Sequence, residues 1–208
     1  MGKSIQFFYF DLGNVLLTFD HGLACKQIGD LCELPQSRVR EVVFESELQE
    51  QYESGEISSE EFFETFCDRM QVRPDFKRFC EAASAIFELN FPVVPIVTQL
   101  RSCGNRLGIL SNTCPAHWDY VLNRPYTLLS KAFEHAILSY EVRCLKPQRG
   151  IYDRAIEKAE CDPAEIFFVD DRPENVAGAV EAGIDAVVFT SAGQLIADLA
   201  ARDAKFNI

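Results

Sequence analysis

Four sets of polar side chains follow short apolar runs in this chain, and their types together describe one kind of chemistry. Asp11 follows Phe7–Phe10, Ser111-Asn112-Thr113 follows residues 107–110, Lys146 stands in the loop beyond His135–Leu138, and Asp170-Asp171 follows residues 166–169. A carboxylate such as Asp11 can be a nucleophile, a metal ligand or both. Asp11 and Asp171, with a backbone carbonyl, make a hard oxygen-only set suited to Mg²⁺, and Asp170 would support or share that role. Lys146 is a point charge for phosphate oxygens, and the Ser111 hydroxyl and the adjacent backbone N–H groups, that of Asn112 among them, can donate to the same group. The sum reads as phosphoryl handling. Each part alone has a plainer reading: Asp11 as a turn former, Ser-Asn-Thr as a turn with a helix cap, Lys146 as a solvated lysine, the Asp pair as a cap on a helix dipole. Convergence of all four is what coincidence explains badly.

Convergence needs elements that bring the four together. The run ahead of Asp11 is apolar without alternation, as in a strand buried on both faces. From about residue 93 onward the pattern alternates. A helix over 93–103 closed by Gly104 leads to a strand over 107–110; a strand His135–Leu138 leads to a helix that Pro147 opens in its first turn and that runs to about Ala159; a strand over 166–169 leads to a helix between Pro173 and Gly183 and a last strand over 185–189. Such alternation predicts an α/β fold, a Rossmann-like three-layer core around a parallel sheet whose strand ends share one edge.

Between the first strand and this block lies an all-helical stretch. Helix-like spacing covers 21–32, 37–45 and 47–54, with Gly55 as a stop; Ser58 and Glu61 form a capping box opening a helix to Met70; and residues 75–87 make a further helix. The expected division is a core of residues 1–17 and 92–208 with an inserted helical cap over 18–91. Phe62, Phe63, Phe66, Phe76, Phe79 and Phe87 read as cap packing.

Composition narrows the partners. The 208 residues carry 20 Lys+Arg against 32 Asp+Glu, a net charge of −12, which repels nucleic acid and anionic membrane; a small anionic substrate needs a local metal or cation to overcome that field. No transmembrane run or secretory leader is legible, and the eight cysteines show no CxxC or zinc-like spacing, so the expectation is reduced thiols in a cytoplasmic monomer or small homo-oligomer.

The ordered phrases DLGNV, LSNT, KP before a helix, and FFVDDRPEN resemble the haloacid dehalogenase superfamily, and the helical insertion is similar to its small cap of the first type. FDLGNV, YESGEISSEEF and the His117 that follows LSNT resemble a branch that includes α-D-glucose-1-phosphate phosphatases. The resemblance implies a Mg²⁺-dependent phosphatase acting on a small phosphorylated metabolite such as a hexose 1-phosphate. Asp11 would form an aspartyl-phosphate; Ser111 and Lys146 would bind the phosphoryl group; Asp171, with Asp170, would bind Mg²⁺; and Asn175 would steady those ligands from behind. One departure stands out. Phosphatases of the superfamily usually carry a general acid–base Asp where this chain has Gly13, whose carbonyl can still bind the metal but which has no proton to give. General acid–base catalysis is typically worth about 10²–10⁴-fold. His117 and Glu141 are candidate substitutes or substrate contacts, and the gap implies a preference for good leaving groups such as anomeric or aryl phosphates. Cap residues Phe44, Glu45, Gln51 and Tyr52 could line the substrate pocket or pack the cap's own core. The competing readings are a metal-free dehalogenase and a regulatory protein that binds a phosphometabolite without turnover.

Overall fold

An apolar run without polar interruption persists as a strand when both of its faces are covered, and Phe7–Phe10 (β1) is that case, each residue at most 1% exposed. The structure is a computed structural model that describes residues 4–124 and 127–206, so the extreme ends of the expected core lie outside the described residues. After β1 come β2 (Leu17–Phe19) and five helices, α1 (His21–Cys32), α2 (Gln36–Val43), α3 (Leu48–Glu53), α4 (Ser59–Met70) and α5 (Phe76–Ser84). A short strand β3 (Phe87–Leu89) and α6 (Val94–Ser102) lead to β4 (Arg106–Ser111), α7 (Pro115–Leu122) and α8 (Thr127–Ala132). The chain continues through β5 (His135–Leu138), α9 (Ser139–Val142), α10 (Arg149–Ala159), β6 (Ile166–Asp170), α11 (Pro173–Glu181), β7 (Asp185–Val188) and α12 (Ala192–Ala200).

Five strands pair in parallel in the order β5-β4-β1-β6-β7, the α/β sheet expected from the alternation. Phe8, Phe10, Ile109 and Val169 pack on one face with Ile96 of α6, Leu129 of α8 and Leu195 of α12. Phe7, Tyr9 and Phe168 pack on the other with Ile151 and Tyr152 of α10 and Ala179 of α11. Full burial of each such Phe contributes about 1.5–3 kcal/mol, which explains why β1 can hold a polar residue at its end without losing its place. Helices α1 to α5 form a third apolar cluster around Tyr52, Phe62, Phe66 and Phe79, joined by Cys114 just ahead of α7.

Two boundaries differ from the periodicity. The helix expected over 75–87 stops at Ser84, and Phe87 belongs to β3, which pairs antiparallel with β2; at three residues each, these strands exist by pairing with one another and leave no period to read. Pro147 lies outside the helix it was expected to open: the Lys146–Pro147 bond is cis, Gln148 is the N-cap, and α10 begins at Arg149. The capping box is present, with Ser58 Oγ accepting from Glu61 N and Glu61 Oε2 from Ser58 N.

Candidate active site

The strand order places the site. From the central β1 the chain crosses to β4 on one side and later to β6 on the other, and such a reversal opens a crevice at the carboxyl ends of the strands. Asp11 N donates to Val169 O at 2.9 Å, so Asp11 and Asp170 leave neighbouring strands side by side.

Lys146 fills the crevice floor. Its Nζ donates to Asp11 Oδ1 at 2.7 Å, to Asp170 Oδ2 at 2.5 Å and to the Leu110 carbonyl at 2.9 Å, which employs all three ammonium protons. The side chain is 1% exposed, and a charge so buried persists because it is paired. Burial works against the ammonium, but the two carboxylates outweigh it and hold Lys146 protonated above its usual range. Burial pushes the Asp11 carboxyl up to about 7, with Lys146 pulling it back and Asp170 pushing the same way as burial. The backbone of Lys146 is gripped from β4: Asn112 Oδ1 accepts from Lys146 N at 2.8 Å, and Asn112 Nδ2 donates to Lys146 O at 3.0 Å. The Asn112 side chain is thus employed in placing the lysine. Ser111, 1% exposed, ends β4 beside it with its hydroxyl donating to the Asn112 carbonyl.

The two carboxylates beyond β6 are held differently. Asp170 is fully buried; besides Lys146 it accepts from Arg172 N, and both of its carboxylate oxygens accept from Asn175 Nδ2, at 3.0 and 3.1 Å. Asp171 is half-buried, and its Oδ2 accepts from Asn14 Nδ2 at 2.8 Å. Asn14 adopts φ 54°, a left-handed conformation that Asn tolerates well, so the turn after Gly13 is what reaches across to Asp171.

A divalent cation suits this donor set. Oxygens of Asp11, Asp170 and Asp171 lie within 4.8 Å of one another, and three carboxylates against one ammonium leave two negative charges uncompensated. Asn175 Oδ1 is buried without a hydrogen-bond partner, a spare acceptor next to Asp170.

Gly13 has a steric reason. A Cβ added there would stand 2.8 Å from Phe19 Cε1, so the ring of Phe19 occupies the space a side chain would need. Phe19 in turn packs on His21 at 4.8 Å between ring centroids, His21 stacks on Phe44 at 4.3 Å, and Phe87 joins Phe19 to His117. His117 is oriented toward the helices: its ring meets Phe87 edge-on and hydrogen bonds to the Ala83 backbone, while burial and His21 lower its pKa to about 4, leaving it neutral. Glu141 lies exposed on α9 with the Tyr140 hydroxyl as partner. Tyr52 is 3% exposed, stacks on Phe62 in the helical cluster, and its hydroxyl accepts from Ala116 N. Phe44 is half-buried against His21, whereas Glu45 and Gln51 contribute backbone bonds at the ends of α2 and α3.

The structure therefore brings together Asp11, Gly13, Ser111, Asn112, Lys146, Asp170, Asp171 and Asn175, and turns His117 and Glu141 to other contacts. Sequence reasoning passed over Asn14, Phe19, Glu53, Ser139 and Arg172. Of these, Asn14 had a signal in its Gly-Asn turn; Phe19 and Glu53 reach the site through the pairing of β2 and the docking of α3, which no local pattern records.

Comparison with known proteins finds relatives of this chain. The family model for haloacid dehalogenase-like hydrolases matches residues 8–183. Pyrimidine 5'-nucleotidase YjjG of Escherichia coli is 31% identical over 142 residues, 64% of this chain and 61% of that protein, so the match spans about three fifths of the relative's length. A HAD family enzyme of Bacteroides thetaiotaomicron, solved in complex with magnesium and inorganic phosphate, superposes with a TM-score of 0.80 at 27% identity, covering 90% of this chain and 95% of that one. A predicted HAD-like family hydrolase of Porphyromonas gingivalis has the same fold, with a TM-score of 0.83 at 23% identity over 98% of this chain and 100% of that one.

Proposed function

The chain belongs to the haloacid dehalogenase-like hydrolases, and from that premise we propose that it is a Mg²⁺-dependent phosphatase hydrolysing a small phosphorylated metabolite, a sugar phosphate such as a hexose 1-phosphate, through an aspartyl-phosphate on Asp11. The observation that carries this reading is the Lys146 ammonium held between Asp11 and Asp170 at the ends of adjacent strands, with Asp171 completing an oxygen cluster. An ammonium locked on a nucleophilic carboxylate pulls toward its ionised form, against the burial that raises its pKa, and presents positive charge where a phosphoryl group must dock. The relatives support the substrate class: one is a nucleotidase, and another holds magnesium and phosphate.

In this mechanism Asp11 attacks phosphorus with one carboxylate oxygen while Lys146 fixes the other. Ser111 and the backbone beside Asn112 donate to the phosphoryl oxygens. Asp11, Asp171 and the Gly13 carbonyl would hold Mg²⁺, with Asp170 sharing the role and Asn175 fixing Asp170. Mg²⁺ held there would supply positive charge for the phosphoryl oxygens of an anionic substrate, which a chain of net charge −12 otherwise repels. Residues 18–91 act as the cap that closes over the strand ends and excludes water. A cytoplasmic setting is part of the same proposal, and among the described residues no helix is long and apolar enough to cross a membrane.

The test is a phosphate-release screen across phosphorylated metabolites with Mg²⁺, beside a chelated control and Asp11→Asn. Turnover that needs Mg²⁺ and falls to background in Asp11→Asn is expected; turnover retained in the variant removes the nucleophile, turnover independent of metal removes Mg²⁺ from the proposal, and halide release from 2-haloacids in place of phosphate release would point to dehalogenase-type chemistry.

A further inference from the structure

Gly13 leaves the leaving group without the usual proton donor, and a side chain there would have to displace the Phe19 ring. The proton must come from elsewhere in the crevice. His117 is neutral and bound to the helical layer, and Glu141 is on the exposed side of α9. Among the described residues, Glu53 is a carboxylate that the mechanism does not yet use. Glu53 is the last residue of α3, and three contacts bolt this end of α3 onto the core. Its carbonyl accepts from Ser139 Oγ at 2.6 Å, and the same hydroxyl accepts from Thr113 N at 3.0 Å, two residues beyond Ser111. Gly55 at φ 71° lies so close to the Tyr140 carbonyl that a Cβ could not be inserted, and Tyr52 receives the N–H of Ala116. Gln49 Nε2 donates to Glu53 Oε1 at 2.8 Å and fixes the rotamer.

The end of α3 is thereby fixed on the loops that follow β4 and β5, and the Glu53 carboxyl, held by Gln49, lies within the fields of Arg172, next to Asp171 in the chain, and of Lys146 on the crevice floor. We propose that Glu53, carried by the helical insertion, is the general acid and then the general base that Gly13 cannot be. This rests on the phosphatase reading above. As Asp11 attacks, the P–O ester bond breaks and the leaving oxygen takes the proton of Glu53. The Glu53 carboxylate then takes a proton from water as that water's oxygen attacks the aspartyl-phosphate; the P–O bond to Asp11 breaks, and phosphate leaves with both carboxyl groups restored. Burial holds the Glu53 carboxyl above its ordinary range, against the pull of Gln49, Arg172 and Lys146 and with a small push from Glu50, which favours the proton-bearing form the first step needs. Because the acid sits on the insertion, proton transfer is available only when α3 is docked on α9, which couples closure to chemistry.

The experiment compares wild type, Glu53→Gln and Glu53→Asp on the best sugar phosphate and on p-nitrophenyl phosphate, whose leaving group needs no proton. Glu53→Gln should lose about 10²–10³-fold in kcat on the sugar phosphate. On p-nitrophenyl phosphate it should release one equivalent of nitrophenolate per site in a burst and then turn over slowly, because attack survives while hydrolysis of the aspartyl-phosphate has lost its base. Wild type should show kcat/KM on the sugar phosphate falling with rising pH, a fall that should be absent from Glu53→Gln, and Glu53→Asp should restore part of the rate. Equal loss on both substrates without a burst would reduce Glu53 to a structural role and overturn the proposal, as would an unchanged rate. If wild type itself lacks Mg²⁺-dependent turnover, or Asp11→Asn keeps it, the phosphatase reading fails first and takes this one with it.

Discussion

At the scale of single residues the site is organised by one ammonium and one missing side chain. Lys146 is surrounded by three acceptors, so its position is overdetermined, whereas Gly13 is kept small by Phe19. This makes a specific statement about restoring the usual acid. Gly13→Asp alone should lower kcat on an alkyl phosphate by about tenfold or more, about 1.4 kcal/mol of transition-state stabilisation, because the new side chain must displace the Phe19 ring and disturb the Asn14 turn that holds Asp171. Gly13→Asp with Phe19→Ser should recover most of that loss. A single variant faster than wild type would show that the ring is no obstacle. The residues of the site were largely legible in the sequence, since Asp11, Ser111 and the Asp170-Asp171 pair each follow an apolar run and Lys146 stands in the loop beyond one. Asn112 was legible as a position but not in its duty, because its amide serves the Lys146 backbone 34 residues away, a contact that depends on β4 and the loop after α9 being neighbours.

At the scale of elements, what positions Lys146 is a stack of close approaches. Asn112 grips its backbone from one side, and on the other α11 comes so near that a Cβ on Gly178 would stand 2.7 Å from the Pro147 carbonyl and 2.9 Å from its Cβ. Gly178→Ala should therefore push the Lys146–Pro147 segment outward. The expected cost is about 1–3 kcal/mol in denaturant unfolding, as for other overpacked sites, together with a kcat reduced more than KM is raised, since the ammonium and not the substrate pocket is displaced. Unchanged stability would mean that α11 can retreat without carrying the loop. Elements of strong period were the ones the sequence showed well: α1 appears with the expected bounds, and β1, β5 and β6 lie within a residue of theirs. The short pieces were not, because β2, β3 and α9 each have three or four residues and are stabilised by partners distant in the chain; yet these pieces carry Phe19, Phe87 and Ser139, which shape the crevice and anchor Glu53.

At the scale of the whole molecule, the junction between the helical insertion and the sheet core is itself sensitive to protons. His117 on α7 bonds to the backbone of Ala83 on α5 and faces His21 on α1, and both imidazoles are held below their ordinary pKa by burial. A base whose folded pKa is depressed costs nothing above the unfolded value near 6.5; below it the unfolded chain binds a proton that the folded chain refuses, so stability falls as pH drops and the loss is complete near the folded value of about 4. For His117 the ceiling on that loss is about 3 kcal/mol. Asp11 acts with the opposite sign, since burial raises its carboxyl to about 7 and the folded state gains relative stability as pH falls from 7 toward 4. The two trends overlap in one window, so a plain pH titration of wild type would mix them. Comparison with His117→Gln separates them: the variant keeps the Asp11 trend and lacks the imidazole, so its unfolding free energy should rise relative to wild type as pH is lowered from 7 to 4.5, while the two differ by a constant amount above pH 7. Denaturant unfolding at fixed steps of pH, without added metal, measures that difference directly. Curves that stay parallel through the whole range would show that His117 is protonated without loosening α5 from α7, and the junction would then owe its stability to the Tyr52, Ser139 and Gly55 contacts alone.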